Sequence, residues 1–348
     1  MRVTRIGYAL GIAAAVVAFA GCSGGSSIAP VAPGMTQSVV AHHVPVVLPA
    51  RELSVWHGGA PYQGKSFVRD PHSPLITNYV YECSYGTSVC RWYVKHHNVV
   101  AGTLSGLANP QGIGVNPLSG NVYVADIGAF ETLEYAPNST TVVGTFSDPN
   151  QYPVDAAVDS QGNVYVANIF STAGAAGSVD VFNSSGTLLR NLTDPNVSEG
   201  ISVGIDEHHM LTFCFNNTAG VGECDNFAHA NGHGVLAESG WGFSGGSSYN
   251  INEHTVVLDQ LADSALTYSS GTLCGTIHFA SAGDDVMMGL SRSNGFLVEG
   301  DASNNNVGQY AYADCTNNSS ESPQFTYNAG ITPSDLVIGA NVTPGVRP

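Results

Sequence analysis

The chain has 348 residues, with 27 acidic against 10 basic side chains and a formal net charge of −17. Such a surface repels phosphate backbones, which argues against nucleic-acid binding, and it disfavours anionic lipid headgroups as well. Charged residues make up only 11 % of the chain while glycine occurs 41 times, a balance that suits an extracellular β protein better than a helical one.

Residues 1–21 read as a secretory signal. Arg2 and Arg5 form a positive n-region, and Ile6 to Ala20 run without a charge. That run has the length of a signal h-region and falls short of the roughly 20 apolar residues of a membrane span. It closes on Phe19-Ala20-Gly21-Cys22, which resembles the lipobox of bacterial lipoproteins. The resemblance implies that Cys22 is lipidated and becomes the new N-terminus. A plain cleaved signal with an incidental cysteine is the alternative. Without Arg2 and Arg5 the balance is 8 basic against 27 acidic residues, a net charge of −19. Residues 22–50, rich in Ser, Gly, Pro and Ala, read as a flexible tether that links the chain to the membrane through the lipid alone. Ser23 rather than Asp follows the cysteine. By resemblance to Gram-negative sorting rules this points to the outer membrane of the cell envelope; in a Gram-positive organism the anchor would be the plasma membrane.

Residues 51–73 read as an N-terminal strap before a domain over 74–341 and a tail over 342–348. Five basic residues (Arg51, Lys65, Arg69, Arg91, Lys95) gather near the domain start with Trp56, Trp92 and several tyrosines. Arg and aromatic clusters mark binding surfaces. The same residues would equally serve as glue between a strap and the domain.

Six cysteines remain besides Cys22, an even number that in an exported chain implies disulfides. Cys83 and Cys90 are close in sequence, as are Cys214 and Cys224, so each pair could bridge two neighbouring strands across their loop; Cys274 and Cys315 are left by elimination. Zinc is the rival use of these thiols, but no Cys-x-x-Cys occurs.

An internal repeat carries the fold. Pro110-Gln111-Gly112-Ile113-Gly114-Val115-Asn116, followed by Gly120-Asn121-Val122-Tyr123-Val124-Ala125-Asp126, returns as Pro153-Val154-Asp155-Ala156-Ala157-Val158-Asp159 and Gly162-Asn163-Val164-Tyr165-Val166-Ala167-Asn168. About 40 residues per period, with four short strands between Gly, Asn, Asp and Ser turns, is the pattern of a propeller blade. First strands are expected at residues 111–116, 154–159, 201–206, 248–252, 285–291 and 334–340. Second strands are expected at 75–78, 122–126, 164–168, 210–214, 255–259 and 296–299. The two sets are out of phase at the chain ends, which predicts an all-β, six-bladed β-propeller whose C-terminal strand closes the first blade. The Pro…Gly-Asn-Val-Tyr-Val-Ala-Asp/Asn units resemble the NHL-repeat propellers, and more distantly the gluconolactonase and streptogramin-lyase propellers.

Asn78, Asp126, Asn168 and Asp259, with Asp301, end or follow second strands. A ring of such oxygens could hold a divalent cation at the propeller axis; the alternative is that they accept turn amides. Asn116, Asp159 and Asp206 invite the turn reading more strongly. The streptogramin-lyase resemblance implies His and Glu near the axis, for which His233 and His254 beside Glu253 are the candidates. His229-x-x-x-His233 would form a metal pair only on a helix, and the gluconolactonase pattern would need an early glutamate such as Glu82. No Gly-x-Ser-x-Gly elbow or phosphate loop occurs. The expected function is a monomeric, lipid-anchored, non-catalytic binding or scaffold propeller with a protein or glycan partner and no cofactor. A metal-dependent lactonase or lyase is the alternative.

Overall fold

The alternating apolar runs fold into strands, and the sole helical piece among the described residues is a single 3-10 turn at Ala228–Ala230. The computed structural model describes residues 79–342 apart from 86–87, 117–118, 207, 251–252, 281–284, 292–295, 313, 316–317 and 332–335. Cys22, Trp56 and Asn78, with the signal, tether and strap, lie outside the described residues.

The first blade opens with β1 (Tyr79–Tyr85), β2 (Val89–Val94) and β3 (Val100–Leu104). The second consists of β4 (Pro110–Val115), β5 (Val122–Asp126), β6 (Glu131–Tyr135) and β7 (Val142–Ser147). The third holds β8 (Gln151–Val158), β9 (Val164–Ser171), β10 (Ser178–Phe182) and β11 (Leu188–Leu192). The fourth holds β12 (Val197–Ile205), β13 (Leu211–Asn217), β14 (Gly222–Phe227) and β15 (Val235–Trp241). The fifth begins with β16 (Ser244–Tyr249), β17 (Thr255–Asp259), β18 (Ser264–Ser269) and β19 (Thr272–Phe279). The sixth has β20 (Asp285–Ser291), β21 (Phe296–Asp301) and β22 (Asn306–Ala311); then come β23 (Asn318–Glu321), β24 (Phe325–Tyr327) and β25 (Leu336–Val342).

Two of these last strands leave sequence order. β25 joins the first sheet as its innermost strand, antiparallel to β1, with Val80 opposite Val342 and Tyr85 opposite Leu336. This is the closure that the mismatched chain ends predict. β23 crosses to the fifth blade and adds a fifth strand parallel to β19, from Thr276↔Asn318 to Phe279↔Glu321, so that β24 completes the sixth sheet instead. The second strand of the first blade is Tyr79–Tyr85, beyond the expected 75–78, and the latter segment lies outside the described residues. The alternating Tyr-Val-Tyr-Glu-Cys run sets this register, because it places Cys83 opposite Cys90.

The six innermost strands β25, β4, β8, β12, β16 and β20 pack side by side into a ring. Each blade therefore buries both faces, which explains why Val122–Asp126 is buried along its whole length. The core lies between blades. Tyr81, Trp92 and Leu104 of the first blade pack on Ile113, Val124 and Tyr135 of the second. Val80 and Tyr93 meet Phe296, Val298 and Tyr327 of the sixth across the closing seam, with Val337 of β25 among them.

Three disulfides form: Cys83–Cys90, Cys214–Cys224 and Cys274–Cys315. The first two join directly opposed residues of β1/β2 and β13/β14. Three bridges fit an extracellular or cell-envelope protein. No helix among the described residues is long and apolar enough to cross a membrane.

Candidate functional site

The ring of inner strands carries a polar seam. In the repeat, Asp155 stands where the previous unit has Gly112, and the two positions meet. A Cβ on Gly112 would lie 2.5 Å from Asp155 Oδ1 and 2.5 Å from the Val154 carbonyl oxygen. Asp155 Oδ2 accepts the Val203 N–H of the fourth blade at 3.1 Å. Beside it, Ser202 Oγ contacts the Gly245 carbonyl at 3.0 Å and Ser247 Oγ at 2.9 Å in the fifth blade. One buried carboxyl thus touches the second, third and fourth blades. Burial pushes Asp155 up from 3.8 to about 7, against the lowering effect of the Val203 and Ala156 amides. Burial acts in the same direction on Asp180, to about 6, and on Glu238, to about 7.

These raised values fix the sign of a pH effect. The folded chain holds protons that the unfolded chain releases, so this stability is complete below the ordinary carboxylate range near 3.8 and is lost as pH rises through about 7. Thermal melts are expected to show lower stability at about pH 8 than at about pH 5, with Asp155 contributing on the order of 4 kcal/mol at most. Asp155→Asn is expected to flatten this slope and to stabilise the chain at the alkaline end. An unchanged slope in that variant contradicts the assignment.

The repeat Asp and Asn residues have other partners. Asp126 accepts the Ala108 and Asn109 amides, both at 2.7 Å, which ties the link from the first blade to the end of β5. Asp259 does the same for Gly242 and Phe243 ahead of β16, at 3.2 and 3.4 Å, and also accepts Leu261 N–H at 3.1 Å. Asp301 accepts Asn304 N–H at 2.9 Å. Asn168 reaches along its own blade instead, donating to Asp180 Oδ2 at 3.0 Å, whose other oxygen takes Asn191 Nδ2 at 2.7 Å. Asp126, Asn168 and Asp259 each bond within their own blade or the link leading into it, and no hydrogen bond among the described residues joins them to one another. Asn116, Asp159 and Asp206 bind turn amides, as their position before the first turn implies.

Trp92 is a core residue, with its indole packed against Gly102, where a Cβ would collide with the ring. Glu82 is fully buried, paired with Arg91 Nη1 at 2.7 Å and with Ser84 Oγ at 2.8 Å. His229 lies in the 3-10 turn with φ 52°, so His229 and His233 share no helical face.

One end of the ring gathers features that the sequence scatters. First and third strands run parallel, so the turns after both lie at the same end. There His209 Nδ1 lies 3.3 Å from Asp159, His208 3.3 Å from Glu253, and His254 Nδ1 2.8 Å from Asp314 Oδ1. These pairs cross three successive blade boundaries. At the same end, each of five blades begins its fourth strand with exposed aliphatic side chains: Val99, Val142 with Val143, Leu188 with Leu189, Leu236 and Leu273. No sequence motif marks these positions, because the signal is their shared place in the blade.

No known family profile and no curated protein sequence matches the chain. Solved structures resemble it in fold. A chain of the nidogen/laminin complex aligns with a TM-score of 0.61 at 12 % identity, covering 76 % of this chain and 98 % of that one. A catalytically inactive virginiamycin B lyase from Staphylococcus aureus, solved with quinupristin, aligns with a TM-score of 0.52 at 9 % identity, covering 70 % of this chain and 80 % of that one. At these identities the likeness shows the β-propeller fold alone.

Proposed function

We propose that the protein is a lipid-anchored, non-catalytic binding propeller of the bacterial cell envelope, related to the NHL-repeat type and presenting one end of its ring to a protein partner. The observation that carries this reading is the band of exposed aliphatic side chains at one equivalent position in five blades. Exposed apolar groups arranged regularly around one end of a ring form a surface suited to a partner. The bonding of Asp126 and Asp259 to backbone amides supports the same reading, because it gives these carboxylates a role within the fold. The lipobox-like Phe19–Cys22 segment and the tether support an anchor at Cys22.

Photo-crosslinking in whole cells tests the partner surface. A photoreactive residue at Leu189 or Leu273 is expected to yield a discrete adduct, and one at Asn150, exposed at the opposite end between β7 and β8, is expected to yield none. The same adduct from all three positions, or from none, contradicts the surface. Incorporation of a fatty-acid analogue should be lost in Cys22→Ser; retained label contradicts the anchor.

A metal-dependent lyase or lactonase is the second reading, favoured by the His–carboxylate pairs at the turn end. A stoichiometric divalent ion in the oxidised protein that disappears in His208→Ala or His209→Ala and persists in His254→Ala would replace the binding account with this one.

A further inference from the structure

The Cys274–Cys315 bridge has different surroundings from the other two. Cys83, Cys90, Cys214 and Cys224 are buried among aromatic and aliphatic side chains. Cys274 and Cys315 are only partly buried, and they sit beside His254 and Asp314, themselves partly exposed. His254 Nδ1 is 3.4 Å from Cys315 Sγ and 2.8 Å from Asp314 Oδ1. A single ring nitrogen therefore faces both a sulfur and a carboxylate oxygen. The two sulfurs, the nitrogen and the oxygen all lie within 4.8 Å of one another. Bond lengths of about 2.0–2.3 Å to a tetrahedral zinc ion place ligand atoms roughly 3.3–3.8 Å apart; cleaving the 2.02 Å S–S bond frees the two sulfurs to separate by side-chain rotation and close on a shared ion beside His254 and Asp314.

The ligands come from three places in the fold: His254 from the turn between β16 and β17, Cys274 from β19, and Asp314 and Cys315 from the link between β22 and β23. Asn250 orients two of them. Its Nδ2 donates to Asp314 Oδ1 at 2.7 Å, and its Oδ1 accepts the His254 N–H at 3.0 Å. Outer-shell hydrogen bonds of this kind fix the direction of metal ligands.

We propose that Cys274, Cys315, His254 and Asp314 form a two-state centre, a disulfide when oxidised and a tetrahedral Zn2+ site when reduced. A dithiol reductant attacks the bridge through a mixed disulfide and leaves as its own cyclic disulfide. Two electrons and two protons pass to the protein, giving two thiols. Zn2+ then displaces both thiol protons to solvent and is held by two thiolates, the neutral His254 Nδ1 and one Asp314 oxygen, for a net site charge of −1. A disulfide oxidant reverses the sequence, re-forming the bridge and releasing the ion. In both states the centre holds the link that carries β23 across to the fifth blade. None of the exposed aliphatic side chains at the starts of the fourth strands takes part in this centre.

The test uses the full mature chain and Co2+ as a spectroscopic probe. Limited reduction under native conditions is expected to expose two alkylatable cysteines, 274 and 315. Co2+ should then give a thiolate charge-transfer band and tetrahedral d–d bands at one ion per chain, displaced by Zn2+. His254→Ala and Asp314→Asn are each expected to weaken Co2+ binding by at least about tenfold. The absence of these bands from the reduced chain overturns the proposal. Bands unchanged in both variants, or present in the oxidised chain, overturn it as well. Should reduction unfold the chain, Cys274→Ser breaks the bridge without reductant and keeps three ligands; a single-thiolate Co2+ band is expected there, and its absence overturns the proposal.

Discussion

A chain ending at Ile331 is expected to lose cooperative thermal unfolding altogether. The deletion removes β25, which supplies the innermost strand of the first blade and pairs with β1 from Val80 to Tyr85. It also removes a close seam with the second blade, where a Cβ on Gly339 would lie 2.1 Å from the Gln111 carbonyl oxygen. Val337, fully buried with Val80, Tyr93 and Phe296, is lost with it. One such side chain contributes about 1.5–3 kcal/mol. The exposed Val80 and Tyr93 and the unpaired β1 edge add to that loss, against a total stability of roughly 5–15 kcal/mol for a typical domain. Calorimetry reads the outcome directly. A sharp transition near the full-length midpoint contradicts the role given to β25.

Breaking the buried ion pair of the first blade has the second largest expected effect. Glu82 is 0 % exposed and Arg91 is 11 % exposed, with Nη1 and Oε1 2.7 Å apart. Arg91→Met leaves a buried carboxylate without that cation and is expected to destabilise the fold by about 3–5 kcal/mol in denaturant titrations. The double change to Met at both positions removes both charges and is expected to recover most of the loss. A single variant within about 1 kcal/mol of the parent, in the range of exposed pairs, contradicts the importance of this contact.

The propeller was legible because blades repeat. The Gly-Asn-Val-Tyr-Val-Ala signature fixes β5 and β9, and the mismatched ends imply closure. Two disulfides were legible because Cys83/Cys90 and Cys214/Cys224 face each other within hairpins of short sequence separation. The route of β23 was not legible, since its parallel pairing with β19 leaves no local pattern and depends on where the sixth blade ends. Trp92 could not be assigned from composition, because an aromatic on a strand serves core and surface equally well; Gly102 beneath it decides the matter. Asp155 was readable only as a departure from the repeat. Its burial depends on Gly112 in one neighbouring blade and Val203 in the other. The His254, Asp314, Cys274 and Cys315 cluster draws on widely separated segments, and no spacing rule connects them.

Native-state hydrogen exchange, resolved by residue, tests the closed ring most directly. The account predicts that the hydrogen-bonded amides of β25 exchange as slowly as those of β1 and β2, in one cooperative opening with the whole ring. Exchange of the β25 amides well ahead of the rest of the first blade would contradict it.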